Sequence, residues 1–166
     1  PFFQISMGLG LMMIPMASRQ VDGMTAAEQW TYAIRLTVPL LGLGAVYAIA
    51  IYYGGEWALA ALFGVRISPA FPLVRLMAVM PFFIVAPLPA AIVLSALRQA
   101  NMRFISQCIA CAGAVLIGLP LVFEYGLIGG ALALLVTEVL FAIGQWGCLF
   151  WLLHRQGKIE GVPILP

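Results

Sequence analysis

LMAVMPFFIVAPLPAAIVLSAL, residues Leu76 to Leu97, runs for 22 residues without an Asp, Glu, Lys or Arg. At about 1.5 Å of rise per residue, a helix of this length crosses the ~30 Å hydrocarbon layer of a bilayer. The stretches on either side repeat the pattern. Pro1 to Ser18 (18 residues), Leu36 to Gly55 (20) and Phe104 to Phe123 (20) are equally free of charge, and Tyr125 to Leu153 contains only Glu138. The chain therefore reads as an all-α, polytopic transmembrane helix bundle with five spans, at about 1–18, 34–54, 71–97, 103–123 and 126–153, and a tail at 154–166.

Composition points the same way. Hydrophobic residues make up 64% of the 166 and charged residues 8%, with a mean hydropathy of +1.09. A water-soluble domain carries about a quarter charged residues. Eight basic and six acidic side chains cannot cover five apolar helices with a water-facing shell, so a soluble all-α domain is excluded.

Lys and Arg concentrate in the cytoplasmic loops of membrane proteins. Arg19 and Arg35 flank the first connection, Arg98 and Arg103 the third, and Arg155 and Lys158 follow the last span. Only Arg66 and Arg75 fall on the opposite side, which places the carboxyl terminus in the cytoplasm. By the same parity Pro1 is at the outer face. With no initiator Met and no signal-peptide pattern ahead of it, the chain reads as the later part of a longer membrane protein.

Pro39, Pro81, Pro87, Pro89 and Pro120 lie within these spans, where neighbouring helices can re-satisfy the carbonyls that a proline frees. The third span should be kinked. Gly42, Gly44, Gly113, Gly129 and Gly130, with adjacent alanines, offer small surfaces over which helices pack closely in lipid. Glu124-Tyr125-Gly126 is so short a connection that the spans it joins must form an antiparallel hairpin. In the first connection, Thr25 followed three residues later by Glu28 fits a capping box and predicts a helix start near Thr25. The second connection predicts a short interfacial helix at about 56–64, with Trp57 at its edge and a stop at Gly64.

Candidate chemistry is sparse. Cys108 and Cys111 form a CxxC, but both lie mid-helix with no second pair and no nearby His, and read as small packing residues. His154 is the only His. No HExxH, paired carboxylates or Ser/His/Asp arrangement is present, so neither a catalytic residue, a metal ligand set nor a cofactor is implied. The scattered basic residues argue against nucleic acid as a partner. Glu138 stands out, because an ionised carboxylate in mid-span costs about 2.5 to 3.5 kcal/mol on insertion scales. It is either an ion-coupling or cavity-lining group, or a neutral Glu bonded to Ser106 or Gln107. Arg75 either snorkels to the outer interface or holds a phosphate with its forked guanidinium. Gln4, Ser6 and Gln145 complete the candidate substrate-cavity residues, and helix packing accounts for them equally well.

Several patterns taken in order, LMMIPMASRQVDG, IRLTVPLLGLG, ALFG, LSALRQANMRF and EYGLIGGALALLVTE, resemble the carboxyl-terminal half of polysaccharide-exporting flippases. These belong to the multidrug/oligosaccharidyl-lipid/polysaccharide exporter superfamily. The resemblance covers nearly the whole chain and is most specific at ALFG followed by YGLIGGALA. It implies a transporter of 12 to 14 helices in two lobes, this chain supplying the last five helices of the second. Such proteins move undecaprenyl-pyrophosphate-linked oligosaccharide for O-antigen, capsule or exopolysaccharide synthesis by alternating access. The implied partners are membrane lipid, the polyprenyl-linked oligosaccharide and an amino-terminal lobe of the same chain. An ion-coupled drug or metabolite exporter of the same superfamily and an accessory membrane subunit are the alternatives.

Overall fold

A computed structural model describes the backbone of residues 2–63 and 71–160 and the side chains of residues 4–61 and 73–157. The described residues are helical with short breaks and contain no strand. Helix α1 (Phe2–Val21) is followed after a tight turn by α2 (Ala26–Phe63). The third apolar stretch is cut into α3 (Phe71–Met77), α4 (Met80–Val85) and α5 (Leu88–Ala96). Helix α6 (Ala100–Gly113) leads through a π turn (Ala114–Gly118) into α7 (Leu119–Glu160).

Each boundary has a local cause. Gly23, at φ 96°, turns the chain between α1 and α2. The capping box then starts α2: Thr25 N–H donates to Glu28 Oε2 at 2.8 Å, and Glu28 N–H donates back to Thr25 Oγ1 at 3.4 Å. Prolines cut the third stretch, since Pro81, Pro87 and Pro89 cannot donate to the carbonyls four residues earlier. The π turn ends just before Pro120, whose missing N–H disrupts the same ladder. Gly126 leaves helical geometry altogether (φ 56°, ψ −125°).

At Gly126 the chain doubles back, and four glycines record the antiparallel pairing that follows. A Cβ on Gly129 would overlap the Leu121 carbonyl, and one on Gly113 would overlap the Leu140 side chain. A Cβ on Gly118 would stand 3.0 Å from Ala133 Cβ, and one on Gly144 2.9 Å from Ser106 Cβ. Absent side chains let the two arms touch along their length, the packing that lipid-embedded helices favour.

Side chains are distributed the reverse of a water-soluble bundle. The interior is rich in alanine, with Ala17, Ala33 and Ala90 fully buried, while Phe123 and Tyr53 are about 80% and 79% exposed. Val38, Met12, Leu116 and Leu127 also face outward. Apolar surface on this scale is not left in water; its solvent is lipid. Among the described residues, three segments are long and apolar enough to cross a membrane: Ala26–Ala61, Leu73–Ala96 and Ala100–Gly157. The chain is a membrane protein.

The expectation of five spans is met in part, with three differences. First, three described segments, not five, meet the length and apolarity of a span. Helix α1 spends Gln4, Ser6, Ser18, Arg19 and Gln20 within its 20 residues, and the two arms about Gly126 belong to one 58-residue segment. Second, the span at 34–54 and the interfacial helix at 56–64 are a single α2 up to Phe63. Gly54 and Gly55 do not break it; a Cβ on Gly55 would lie 2.7 Å from Val74 Cγ1, so the small residue admits α3. Third, residues 154–160 of the expected tail continue α7 as helix. The expected stop at Gly64 and the tail beyond Glu160 lie outside the described residues.

Two apolar clusters define one end of the bundle. Ala26, Ala33, Leu94, Leu149 and Leu153 form one, and Ala17, Val21, Ile92 and Ala96 the other. Arg19, Arg35, Arg98, Arg103 and Arg155 are each within two residues of a member or of Met102, which packs on the first. These five cations therefore gather at one end.

Candidate functional site

Where the third stretch is broken, α1, α4, α5 and the α6/α7 hairpin leave a cavity of about 340 Å³. Its polar wall is made by Ser6 on α1, Arg103 and Gln107 on α6, and Thr137 and Glu138 on α7. Helical spacing explains the α6 contribution, because Arg103, Gln107 and Ala110 share one face at i, i+4 and i+7. Ile84, Pro87, Leu88 and Phe141 supply the apolar remainder.

Arg103 is held in place. Its Nη1 donates to Ser95 Oγ at 2.8 Å, and that hydroxyl donates to the Ala91 carbonyl at 2.6 Å. One of five guanidinium N–H groups is used in this way, leaving others available. No ion pair or hydrogen bond joins Glu138 to another group among the described residues. The expected bond from Ser106 is not made, because the Ser106 hydroxyl donates within its own helix to the Arg103 carbonyl at 2.9 Å. The Gln107 amide instead faces Cys111 Sγ at 3.9 Å. Cation and carboxylate thus border one space without closing on each other.

A second cavity, about 520 Å³, adjoins the first and shares Arg103, Gln107 and Phe141 with it. Ser95, Arg98, Ala100, Phe104 and Gln145 complete its wall. Gln145 is fully buried, and neither Oε1 nor Nε2 has a partner. Ser6 Oγ is likewise buried and unpartnered. Groups of this kind ordinarily find a bond, since leaving one unmade costs about 1–3 kcal/mol.

Of the five residues picked from sequence, the structure brings together Ser6 and Glu138, with Gln145 at the adjoining cavity. Gln4 is exposed on α1 and lines neither cavity. Arg75 is elsewhere, its Nε 2.6 Å from Glu56 Oε1 and its guanidinium 5.9 Å from the Tyr52 ring centroid. That ion pair occupies the group that had been a phosphate-holding candidate. Arg103 and Thr137 are not among the candidates read from sequence, and Gln107 figures there only as a bonding partner for Glu138. Arg103 counts among the topology-setting cations in sequence, and only the packing of α6 on α7 brings it to the same cavity as Glu138. No group of three or more His, Cys, Asp or Glu suited to a metal occurs among the described residues.

No protein-family model matches the chain, and no curated protein or solved structure gives a significant match.

Proposed function

We propose that the chain is part of a membrane flippase that passes a polyprenyl-pyrophosphate-linked oligosaccharide across the bilayer by alternating access. The observation that carries the reading is the cavity whose wall holds an unpartnered Glu138 together with Gln107 and with Arg103, which keeps guanidinium N–H groups free beyond its bond to Ser95. Moving a charged sugar head group through hydrocarbon needs a shielded polar path beside an apolar surface for the polyprenyl tail. An unspent guanidinium suits a phosphate bidentately, and the outward apolar side chains suit the tail.

In this reading α1 and α2 each cross once, α3 to α5 together form a third crossing, and the segment from Ala100 crosses twice about Gly126. The cationic end faces the cytoplasm, as the loop-charge rule requires. A carrier of this type works as one lobe rocking against another, so the gene's full product is the unit to test.

The test is reconstitution of that product in liposomes with a fluorescent polyprenyl-pyrophosphate oligosaccharide in the inner leaflet. Translocation above that of protein-free vesicles, cut at least about tenfold by Arg103→Gln and made insensitive to pH by Glu138→Gln, is the expected result. Background-level translocation alongside robust efflux of an organic cation would replace this reading with an ion-coupled drug exporter. If neither moves, and single cysteines placed along α1 and α7 stay closed to water-soluble thiol reagents, an accessory subunit replaces it.

A further inference from the structure

The second cavity uses its charges differently from the first. Its wall holds two guanidiniums (Arg98, Arg103), two carboxamides (Gln107, Gln145) and one hydroxyl (Ser95), and no acidic residue. We infer that this cavity binds the phosphate of an anionic membrane phospholipid, at the end of the bundle where the cations gather. The inference goes beyond the transport reading and requires only that the bundle sit in lipid.

Three observations converge on an oxyanion. Gln145 lines the cavity, and its Nε2 has nothing in the protein to receive its hydrogens, although the residue is fully buried. A phosphate oxygen is a fitting acceptor. Arg103 is fixed through Ser95 and the Ala91 carbonyl, so its remaining N–H groups are presented without the entropic cost of ordering a free side chain. Ala100, the first residue of α6, also borders the cavity. That 14-residue helix has no side-chain cap, so its N-terminal partial positive charge is not offset there.

Phe104 argues for a lipid rather than for free phosphate. It lines the same cavity, is 70% exposed, and is followed by the exposed Ile105. An acyl chain leaving a phosphate held at Arg98 and Arg103 would lie along this apolar strip, whereas inorganic phosphate gains nothing from it. The chemistry also distinguishes headgroups. With two cations and no carboxylate to receive a choline ammonium, the site favours phosphatidylglycerol over phosphatidylcholine.

Native mass spectrometry of the detergent-purified protein, titrated with short-chain phosphatidylglycerol, tests the inference. Expected are retained phosphatidylglycerol adducts and at least about tenfold weaker retention of matched phosphatidylcholine, with a similar loss of phosphatidylglycerol in Arg98→Gln/Arg103→Gln. Because Arg103 also anchors Ser95, Arg98→Gln alone and Gln145→Leu are measured beside it, each with its lipid-free melting temperature to establish folding. Equal retention of the two lipids by the native protein would overturn the inference, as would undiminished phosphatidylglycerol binding in folded Arg98→Gln and Gln145→Leu. Inorganic phosphate displacing the lipid at equal concentration would overturn the lipid assignment in favour of free phosphate.

Discussion

Trp146 Nε1 donates to the Ala86 carbonyl at 2.8 Å across 60 residues of chain. The accepting carbonyl sits at the break where Pro87 and Pro89 deprive the helix of two ladder donors. The same indole meets Trp30 edge to face at 5.5 Å, so one side chain ties α2, the α4–α5 break and α7. Trp146→Phe keeps most of the ring and removes the donor. It should lower unfolding stability in detergent by about 1–3 kcal/mol, with helix content by circular dichroism unchanged before melting. An unaltered melting temperature would mean that the break does not depend on this bond.

The hairpin about Gly126 makes a sharper contrast between two adjacent glycines. A Cβ at Gly129 runs into the Leu121 carbonyl, which cannot move without shifting backbone, whereas a Cβ at Gly130 meets nothing within 4 Å. Gly129→Ala should destabilise by about 3 kcal/mol or more, beyond the usual range for overpacking against a flexible side chain. Gly130→Ala should be neutral or slightly stabilising, because alanine orders a helix more readily than glycine. Equal melting temperatures for the two variants would contradict the antiparallel register described above.

Those features that depend on near neighbours in the chain were readable from the amino acids. Three-residue spacing fixed the Thr25–Glu28 box, prolines marked the breaks in the third stretch, and Gly126 marked the reversal. What depends on distant partners was not readable. Gly54 and Gly55 look like a helix end until Val74, on α3, is seen to fill the space that Gly55 leaves. Ser106 looks like a partner for Glu138 until its hydroxyl is found bonded to its own helix. Arg103 resembles its fellow interfacial cations in every sequence respect. It becomes a cavity residue only because the close packing of α6 on α7, as at Ser106 and Gly144, sets which faces of the two helices meet.

Arg75 and Glu56 form the one ion pair among the described residues, and Arg75 is 57% exposed. Pairs this open contribute at most about 1 kcal/mol because water and salt screen them. Arg75→Gln should therefore change the melting temperature by no more than about 4 °C, and the small difference should vanish in high salt. If the chain is part of a flippase as proposed, translocation by the full product should be unaffected, since Arg75 lines neither cavity. A large loss of translocation would move the substrate path to this opposite end of α2.

Arg98 occupies a position that glycine would fill more comfortably. The end of α5 is a Schellman motif, with Gln99 N–H donating to the Leu94 carbonyl at 2.9 Å and Arg98 N–H to the Ser95 carbonyl at 3.0 Å. The residue at C′ is Arg98 itself, at φ 57°, where a side chain costs about 1–2 kcal/mol. Retaining arginine there fits a group kept for its charge over the cavity, at some expense in stability. Arg98→Gly should raise lipid-free unfolding stability by about 1 kcal/mol, after the greater chain entropy of glycine is allowed for, and should weaken phosphatidylglycerol retention at the same time. The opposing signs separate the two roles, since a residue serving only the turn would gain stability and leave lipid binding untouched. If stability instead falls, side-chain contacts of Arg98 outweigh its backbone strain and the position is structural.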